Sequence, residues 1–271
     1  MTAGGENVDS DLTGEGGDSD LTGEGGRSRP VAVVTGGGRG IGAATARLLA
    51  AAGCDVAIGY RQRTDEAERV AAACRAEGVR AVPVRADVAD PQELAGLFAT
   101  VDVELGPVSV LVNNAGIVPP AGRVDRYDAA RVRHVLDTNV TSVVLACGEA
   151  VRRMSTRHGG AGGVIVNVSS IAARAGAPGE YVDYAASKGA VEALTVGLAR
   201  EVVREGVRVV GVRPGTVDTD IHAPGRLERV TERLPLGRPA SVDEVASAIA
   251  WLAVGAAPYT TGAILDVCGA G

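Results

Sequence analysis

The chain has 271 residues, 46% of them hydrophobic, enough for one well-buried domain. Its formal charge is −6, and residues 1–29 alone carry −5, with seven acids against Arg27 and Arg29, so the rest stands near −1. A nearly neutral body argues against binding nucleic acid or an anionic membrane surface, and small-molecule chemistry is the expectation.

Residues 9–17, DSDLTGEGG, recur letter for letter at 18–26. Two Gly- and Asp-rich copies with one Leu each cannot bury a core, so 1–29 is expected to be a disordered tail and 30–271 a single domain. The start is acidic where a secretory signal would be basic and then apolar, and no apolar run reaches the length of a membrane span, which predicts a cytoplasmic protein. Cys54, Cys74, Cys147 and Cys268 are scattered, without a C-x-x-C pair or a histidine at ligand spacing, so neither a disulfide framework nor a metal site is expected.

From Pro30 onward, β-branched runs alternate with Ala-rich stretches of helical period. Strands are predicted at 31–35, 54–59, 80–84, 108–112, 163–168, 207–212 and 262–267, with helices near 41–52, 64–77, 91–104, 128–157, 183–205 and 241–254. Asp90-Pro91 and Ser241 followed by Glu244 read as helix starts. Continuous apolar strands separated by helices imply an α/β fold: a parallel sheet of seven strands, covered on both faces and doubly wound in the Rossmann manner. Ligands in such folds sit at the carboxyl ends of the strands.

The first strand runs into Thr35-Gly36-Gly37-Gly38-Arg39-Gly40-Ile41-Gly42, a T-G-x-x-x-G-x-G pattern that opens a helix. Glycines there let the backbone turn tightly and approach a pyrophosphate met by the helix N-terminus. The second strand ends Ile58-Gly59-Tyr60-Arg61, without the carboxylate that an NAD ribose would want. Arg61 and Arg39 suit a 2′-phosphate instead, so NADP(H) is favoured and NAD(H) stays possible if both arginines merely face solvent. Asp87-Val88 follows the third strand, as an adenine contact or as a helix cap, and Asn113-Asn114-Ala115-Gly116 follows the fourth, lining a closely passing cofactor.

Tyr184 and Lys188 stand at i and i+4, on one helix face. A phenol with an ordinary pKa near 10 is a poor acid–base group at neutral pH, and a neighbouring ammonium is expected to lower it. Lys188 is the only lysine among 27 basic residues, a compact cation kept where a planar guanidinium would not fit. Asn167-Val168-Ser169-Ser170 ends the fifth strand, and a serine there, Ser170 in preference to Ser169, can meet Tyr184 over a substrate carbonyl. Asn139, within the 128–157 helix, can anchor a water linking Lys188 to solvent.

The ordered set Thr35-Gly36-x3-Gly40-x-Gly42, Asn113-Asn114-Ala115-Gly116, Asn139, Ser170, Tyr184-x3-Lys188 and Pro214-Gly215 resembles the short-chain dehydrogenase/reductase family over Pro30 to Gly271. The resemblance implies Tyr184 as general acid in reduction, Lys188 on the nicotinamide ribose, Ser170 orienting the carbonyl and Asn139 holding a relay water. It also places Pro214, Gly215, Val217 and Thr219 at the nicotinamide end and Asp87 at the adenine, and it implies a homotetramer built through long helices and the last strand. One departure is that Ser170 and Tyr184 are fourteen apart where compared members show thirteen, with the loop Gly176-Ala177-Pro178-Gly179 available to absorb the difference.

Specificity is expected in loops 117–127, 172–182 and 216–238. The last carries Arg226, Arg229, Arg233 and Arg238, the first three able to share a helix face and to receive an acyl-carrier-protein- or CoA-linked acyl group, as in the 3-oxoacyl carrier-protein reductases that the chain resembles. The Tyr60-Arg61 strand end is similar to that of sugar dehydrogenases in the family, which keeps a polyol or aldose substrate open. A dinucleotide-binding sensor without catalysis is the alternative of another class.

Overall fold

The structure is a computed structural model and describes residues 29–220, 225–254 and 257–271; the rest, including residues 1–28 of the repeat tail, lies outside the described residues. In chain order the main elements are β1 (Val31–Val34), α1 (Gly40–Ala51), β2 (Asp55–Tyr60), α2 (Thr64–Ala76), β3 (Ala81–Arg85), α3 (Pro91–Glu104) and β4 (Val110–Asn113). There follow α4 (Ala129–Leu136), a π-helical turn (Asp137–Thr141), α5 (Ser142–Met154), β5 (Gly163–Val168), α6 (Ala172–Ala175) and α7 (Val182–Val202). The last are β6 (Val207–Pro214), α8 (Arg226–Thr231), α9 (Val242–Ala253) and β7 (Ile264–Val267).

All seven strands pair in parallel in the order β3-β2-β1-β4-β5-β6-β7. The side chains of β1 show how the layers arise. Ala32 and Val34 pack with α1, α2 and α9, whereas Val31 and Val33 point through the sheet to α3, α5 and α7. All four are buried, which is why the strand is apolar throughout and does not alternate. The chain reverses direction of winding between β1 and β4, so a crevice opens beyond their carboxyl ends, and the loops after both strands meet there.

Both predicted helix starts occur as expected. Asp90 accepts from the backbone N–H groups of Gln92 and Glu93 with Pro91 in the first turn, and Ser241 and Glu244 form a reciprocal capping box. The single helix expected over 128–157 is instead α4 and α5 joined by the π turn at Asp137–Thr141. One widened turn leaves the apolar period of both flanks intact, so it has no signature in sequence pattern. No helix among the described residues is long and apolar enough to cross a membrane.

Candidate active site

Two loops meet at the head of the crevice, and their own side chains stitch them together. Thr35 Oγ1 accepts from the N–H groups of Asn114 (3.0 Å) and Ala115 (3.1 Å), while Asn114 Nδ2 donates to the carbonyls of Thr35 and Gly36. Gly42 lies so close beneath that a Cβ would fall 2.3 Å from the Gly36 carbonyl oxygen, and Gly36 itself takes φ +63°. The helix that begins here, α1, has no side-chain cap and no acid in its first turn, in contrast to α3 and α9. Its leading N–H groups therefore suit an anion from outside the chain.

The crevice continues as two lobes that share Gly36, Arg39, Ala115 and Gly116, the smaller about 190 Å³ and the larger about 330 Å³. Gly38, Tyr60, Arg61, Asp87 and Val88 line the smaller lobe. Arg61 pairs with Asp87 at 3.4 Å, and Arg39 with Asp220. Asp87 also accepts from the Ala89 N–H, but it does not cap α3, which is the work of Asp90. An elongated ligand with an anionic middle fits this shape: glycine backbone and a bare helix end at the waist, arginines and a carboxylate at one end.

Gly40, Ile41, Pro214, Gly215, Val217 and Thr219 line the larger lobe, together with Ser170, Tyr184 and Lys188. Ser170 stands beside Tyr184 in this lobe, and its hydroxyl works to lower the phenol's pKa. Ser169 turns the other way, donating to Glu192 Oε1 at 2.7 Å and to the Lys188 carbonyl at 3.3 Å. The geometry thus distinguishes the two serines that sequence left adjacent. The longer Ser170-to-Tyr184 connection is taken up by α6 and by a turn in which Gly176, Ala177 and Gly179 all adopt left-handed backbone.

Lys188 is buried, its Nζ donating to the Val168 carbonyl at 2.8 Å and lying 5.8 Å from the Tyr184 ring centre. Burial lowers its pKa to about 8. For Tyr184 the structure departs from expectation: burial pushes the phenol up, and only the Ser170 hydrogen bond works against it. The ammonium is turned toward the β5 carbonyl of Val168.

Asn139, fully buried in the π turn, donates from Nδ2 to the Ile117 carbonyl (2.9 Å) and Ser187 Oγ (3.1 Å) and accepts the Ile117 N–H on Oδ1 (2.8 Å). Both amide donors are therefore spent on the chain, and one lone pair of Oδ1 is left for a water. A Cβ on Gly116 would lie 3.2 Å from Asn139 Oδ1 and 3.6 Å from Lys188 Nζ, so this glycine separates the two by a thin wall.

Several site groups carry little or no signal in a single sequence. Arg63, in left-handed backbone, pairs with Asp220 at 3.2 Å beside the smaller lobe. Tyr181 packs edge-on against Tyr184, with ring centres 5.6 Å apart. Arg131 is bidentate to buried Asp183, next to Tyr184, and its guanidinium lies over the Tyr127 ring. Sequence offered a hint only for Tyr181, as an aromatic one turn before the i, i+4 pair. The arginine helix face expected in 216–238 is not formed: α8 stops at Thr231, before Arg233, and Arg238 pairs with Glu244 on α9. Among the described residues, no cluster of His, Cys, Asp or Glu is arranged to hold a metal.

Residues 30–229 match the short-chain dehydrogenase family. The chain belongs to that family. It is 47% identical over 243 residues to an uncharacterized oxidoreductase, YgfF, of Escherichia coli, covering 88% of this chain and 98% of the relative. It is 43% identical over 242 residues to a cis-4-hydroxycyclohexanecarboxylate dehydrogenase of Sinomonas cyclohexanicum, covering 88% and 95%. Among solved structures, a blue fluorescent protein from a metagenomic library in complex with NADPH superposes with TM-score 0.83 at 36% identity, over 89% of this chain and 97% of that one. As a family member the chain is an NAD(P)-dependent oxidoreductase acting between CH–OH and C=O, on the Rossmann scaffold described above.

Proposed function

We propose that the protein interconverts a ketone, a 3-oxoacyl group included, with its secondary alcohol, using NADP(H) and Tyr184 as general acid and base. The observation that carries this reading is that Ser170 and Tyr184 line the larger lobe together, the serine hydroxyl acting on the phenol, with a buried Lys188 one helical turn from Tyr184. When bound, the dinucleotide supplies or receives the hydride. Ser170 holds the carbonyl oxygen, and Tyr184, kept protonated by its burial, delivers the proton as that oxygen becomes an alkoxide. Lys188 holds the nicotinamide ribose and stabilises the phenolate left behind, and Asn139 keeps the Gly116 wall in place with one Oδ1 lone pair for a relay water. Thr35, Gly36, Asn114 and Gly42 shape the phosphate turn, while Pro214, Gly215, Val217 and Thr219 bound the nicotinamide.

Support for NADP(H) comes from the absence of a carboxylate at the end of β2 and from Arg39 and Arg61 at the smaller lobe. Their present partners, Asp220 and Asp87, form partly exposed ion pairs that a phosphate dianion can displace at small cost. Arg61→Ala is expected to raise KM for NADPH by roughly 10-fold or more, the loss of one charge-assisted contact, and to leave KM for NADH within about twofold. Equal effects on both cofactors in steady-state assays would refute the 2′-phosphate role.

Support for a homotetramer comes from two separate apolar faces: Val144 and Leu145 on α5, and Trp251 and Leu265 on α9 and β7, all well exposed. We place its action in the cytoplasm on a small-molecule carbonyl or alcohol, free or linked to acyl carrier protein or CoA.

The test of the activity is NADPH or NADH oxidation with a panel of ketones and 3-oxoacyl thioesters, followed by absorbance. No turnover on any carbonyl or alcohol would return the chain to the class of dinucleotide sensors. Lys188→Arg, which keeps the charge, is expected to fold and to lose most activity, because a planar guanidinium cannot occupy the space between the Val168 carbonyl and Gly116. Near-wild-type turnover in that variant would remove Lys188 from the mechanism.

A further inference from the structure

Tyr184 and Lys188 are followed on α7 by Glu192, so the three stand at i, i+4 and i+8, one stripe of a single helix face. Lys188 meets the end of β5 through the Val168 carbonyl, and Glu192 meets both β5 and β6. It accepts from Ser169 Oγ at 2.7 Å, and Arg213 on β6 grips it bidentately, Nε to Oε1 at 2.8 Å and Nη2 to Oε2 at 2.7 Å. Arg213 also donates to Asp266 on β7, which Arg174 on α6 holds from outside at 2.7 Å. The two inner side chains are mostly shielded from water, 17% of Glu192 and 11% of Arg213 being exposed. Burial pushes the Glu192 carboxyl up, yet the hydrogen bonds from Arg213 and Ser169 outweigh it and hold the group below its usual range.

A pair so placed adds little to stability, because desolvation of both ions cancels most of their attraction and apolar side chains would serve as well. Its position gives it another use. Ser169 and Ser170 stand side by side at the tip of β5, and both line the larger lobe. Backbone bonds fix this tip to β6 on either side of Ser170: the Ser169 N–H donates to the Val212 carbonyl (2.7 Å) and the Ile171 N–H to the Pro214 carbonyl (2.8 Å). Arg213 lies between those two acceptors, and its side chain ties the same stretch to α7. The Glu192 carboxylate takes the Ser169 hydroxyl, and Ser170 is left as the hydroxyl that acts on the phenol. Glu192 and Arg213 are not among the described residues that line either lobe, so they act through their neighbours.

We infer that Glu192 and Arg213 are positioning residues for the reaction: together they lock the tip of β5 between α7 and β6, so that Ser170 and not Ser169 presents its hydroxyl to Tyr184. This rests on the oxidoreductase reading above and adds two residues to it. Because Tyr184, Lys188 and Glu192 share one helix face, the same lock sets how far along β5 the phenol stands from the serine.

The experiment compares the full wild-type chain with the double variant Glu192→Met, Arg213→Met. One charge of each sign is removed and no buried charge is stranded, since Asp266 keeps Arg174 and Ser169 keeps the Lys188 carbonyl. The double variant is expected to melt no more than about 5 °C below wild type. With the ketone that wild type turns over best, kcat should fall roughly 10–100-fold through misplacement of the serine, while KM for NADPH stays within about threefold because the phosphate turn and the smaller lobe are untouched. A second readout needs no turnover: ultraviolet titration of the Tyr184 phenol, taken as the difference between each protein and its Tyr184→Phe counterpart. The phenol should titrate at higher pH in the double variant, since the Ser170 hydroxyl that lowers its pKa is no longer held in place. An unmoved phenol titration, turnover near wild type, or a large fall in melting temperature, which would make the pair a structural bond, would each overturn the inference. If wild type turns over no carbonyl or alcohol but the phenol titration still moves, the oxidoreductase reading falls and the positioning of Ser170 stands.

Discussion

Lys188→Met is expected to lower turnover by about 10²–10⁴-fold and, at the same time, to melt several degrees above the parent protein. Loss of activity is expected because the proposed mechanism uses this cation to support the Tyr184 phenolate. The gain in stability follows from where that cation sits. Burial carries the ammonium from 10.5 to about 8, which costs the folded state about 3 kcal/mol while the group is charged in both states. Loss of the hydrogen bond to the Val168 carbonyl returns about 1 kcal/mol of that, leaving a net gain near 2 kcal/mol, or about 4–8 °C in Tm.

The sign can be checked through pH. Below pH 8 the lysine is protonated in folded and unfolded chains alike, so the penalty is present in full. Between pH 8 and 10.5 the folded protein sheds its proton first, unfolding takes up a proton, and wild-type stability rises relative to the variant. The advantage of Lys188→Met should thus be largest at pH 7 and vanish by about pH 10.5 in thermal melts. A variant that melts lower than wild type at pH 7 would mean that the lysine is structural, held for its contacts and not for chemistry.

The second large effect is expected at the phosphate turn. In Gly42→Ala the new Cβ would stand 2.3 Å from the Gly36 carbonyl oxygen and 2.5 Å from Asn114 Nδ2, and these two groups are bonded to each other. Relief requires the turn to lift or the Asn114 side chain to leave Thr35 and Gly36, and either change displaces the backbone that shapes the cleft. A destabilisation of about 1–3 kcal/mol is expected, with NADPH affinity reduced at least tenfold. Gly38→Ala is the contrast. Its Cβ would meet only Ala67 and Tyr60 at 3.5–3.6 Å, ordinary contact, so the melting temperature should hardly move. Fluorescence titration of NADPH and thermal melts read both; equal behaviour of the two variants would show that the close approach at Gly42 is not a constraint.

Much of this molecule is legible from its residues because burial on both faces of a parallel sheet forces each strand into an uninterrupted β-branched run. That is how β1, β2, β5 and β6 declare themselves, and why the glycine turn can be placed directly after β1. The i, i+4 spacing of Tyr184 and Lys188 is equally local: once α7 is a helix, both must share a face. The caps at Asp90 and Ser241 belong to the same class, each made within four residues.

What pattern could not carry involves groups brought together from distant parts of the chain. Asn139 reaches Ile117 because one turn of its helix widens, an insertion that periodicity does not record. Ser170 and not Ser169 meets the phenol because Glu192, on a different element, captures Ser169. Arg39 looks like a free phosphate ligand in sequence, yet Asp220, 181 positions later, holds it in the folded chain. Even the direction of the Tyr184 shift was reversed by burial. Lys188 summarises the division: its uniqueness among the basic residues and its spacing from Tyr184 are properties of the sequence alone, through the geometry of one helix. That it is buried, donates to a strand carbonyl and titrates near 8 was decided by the sheet packed against that helix, since only tertiary packing removes water from a charge.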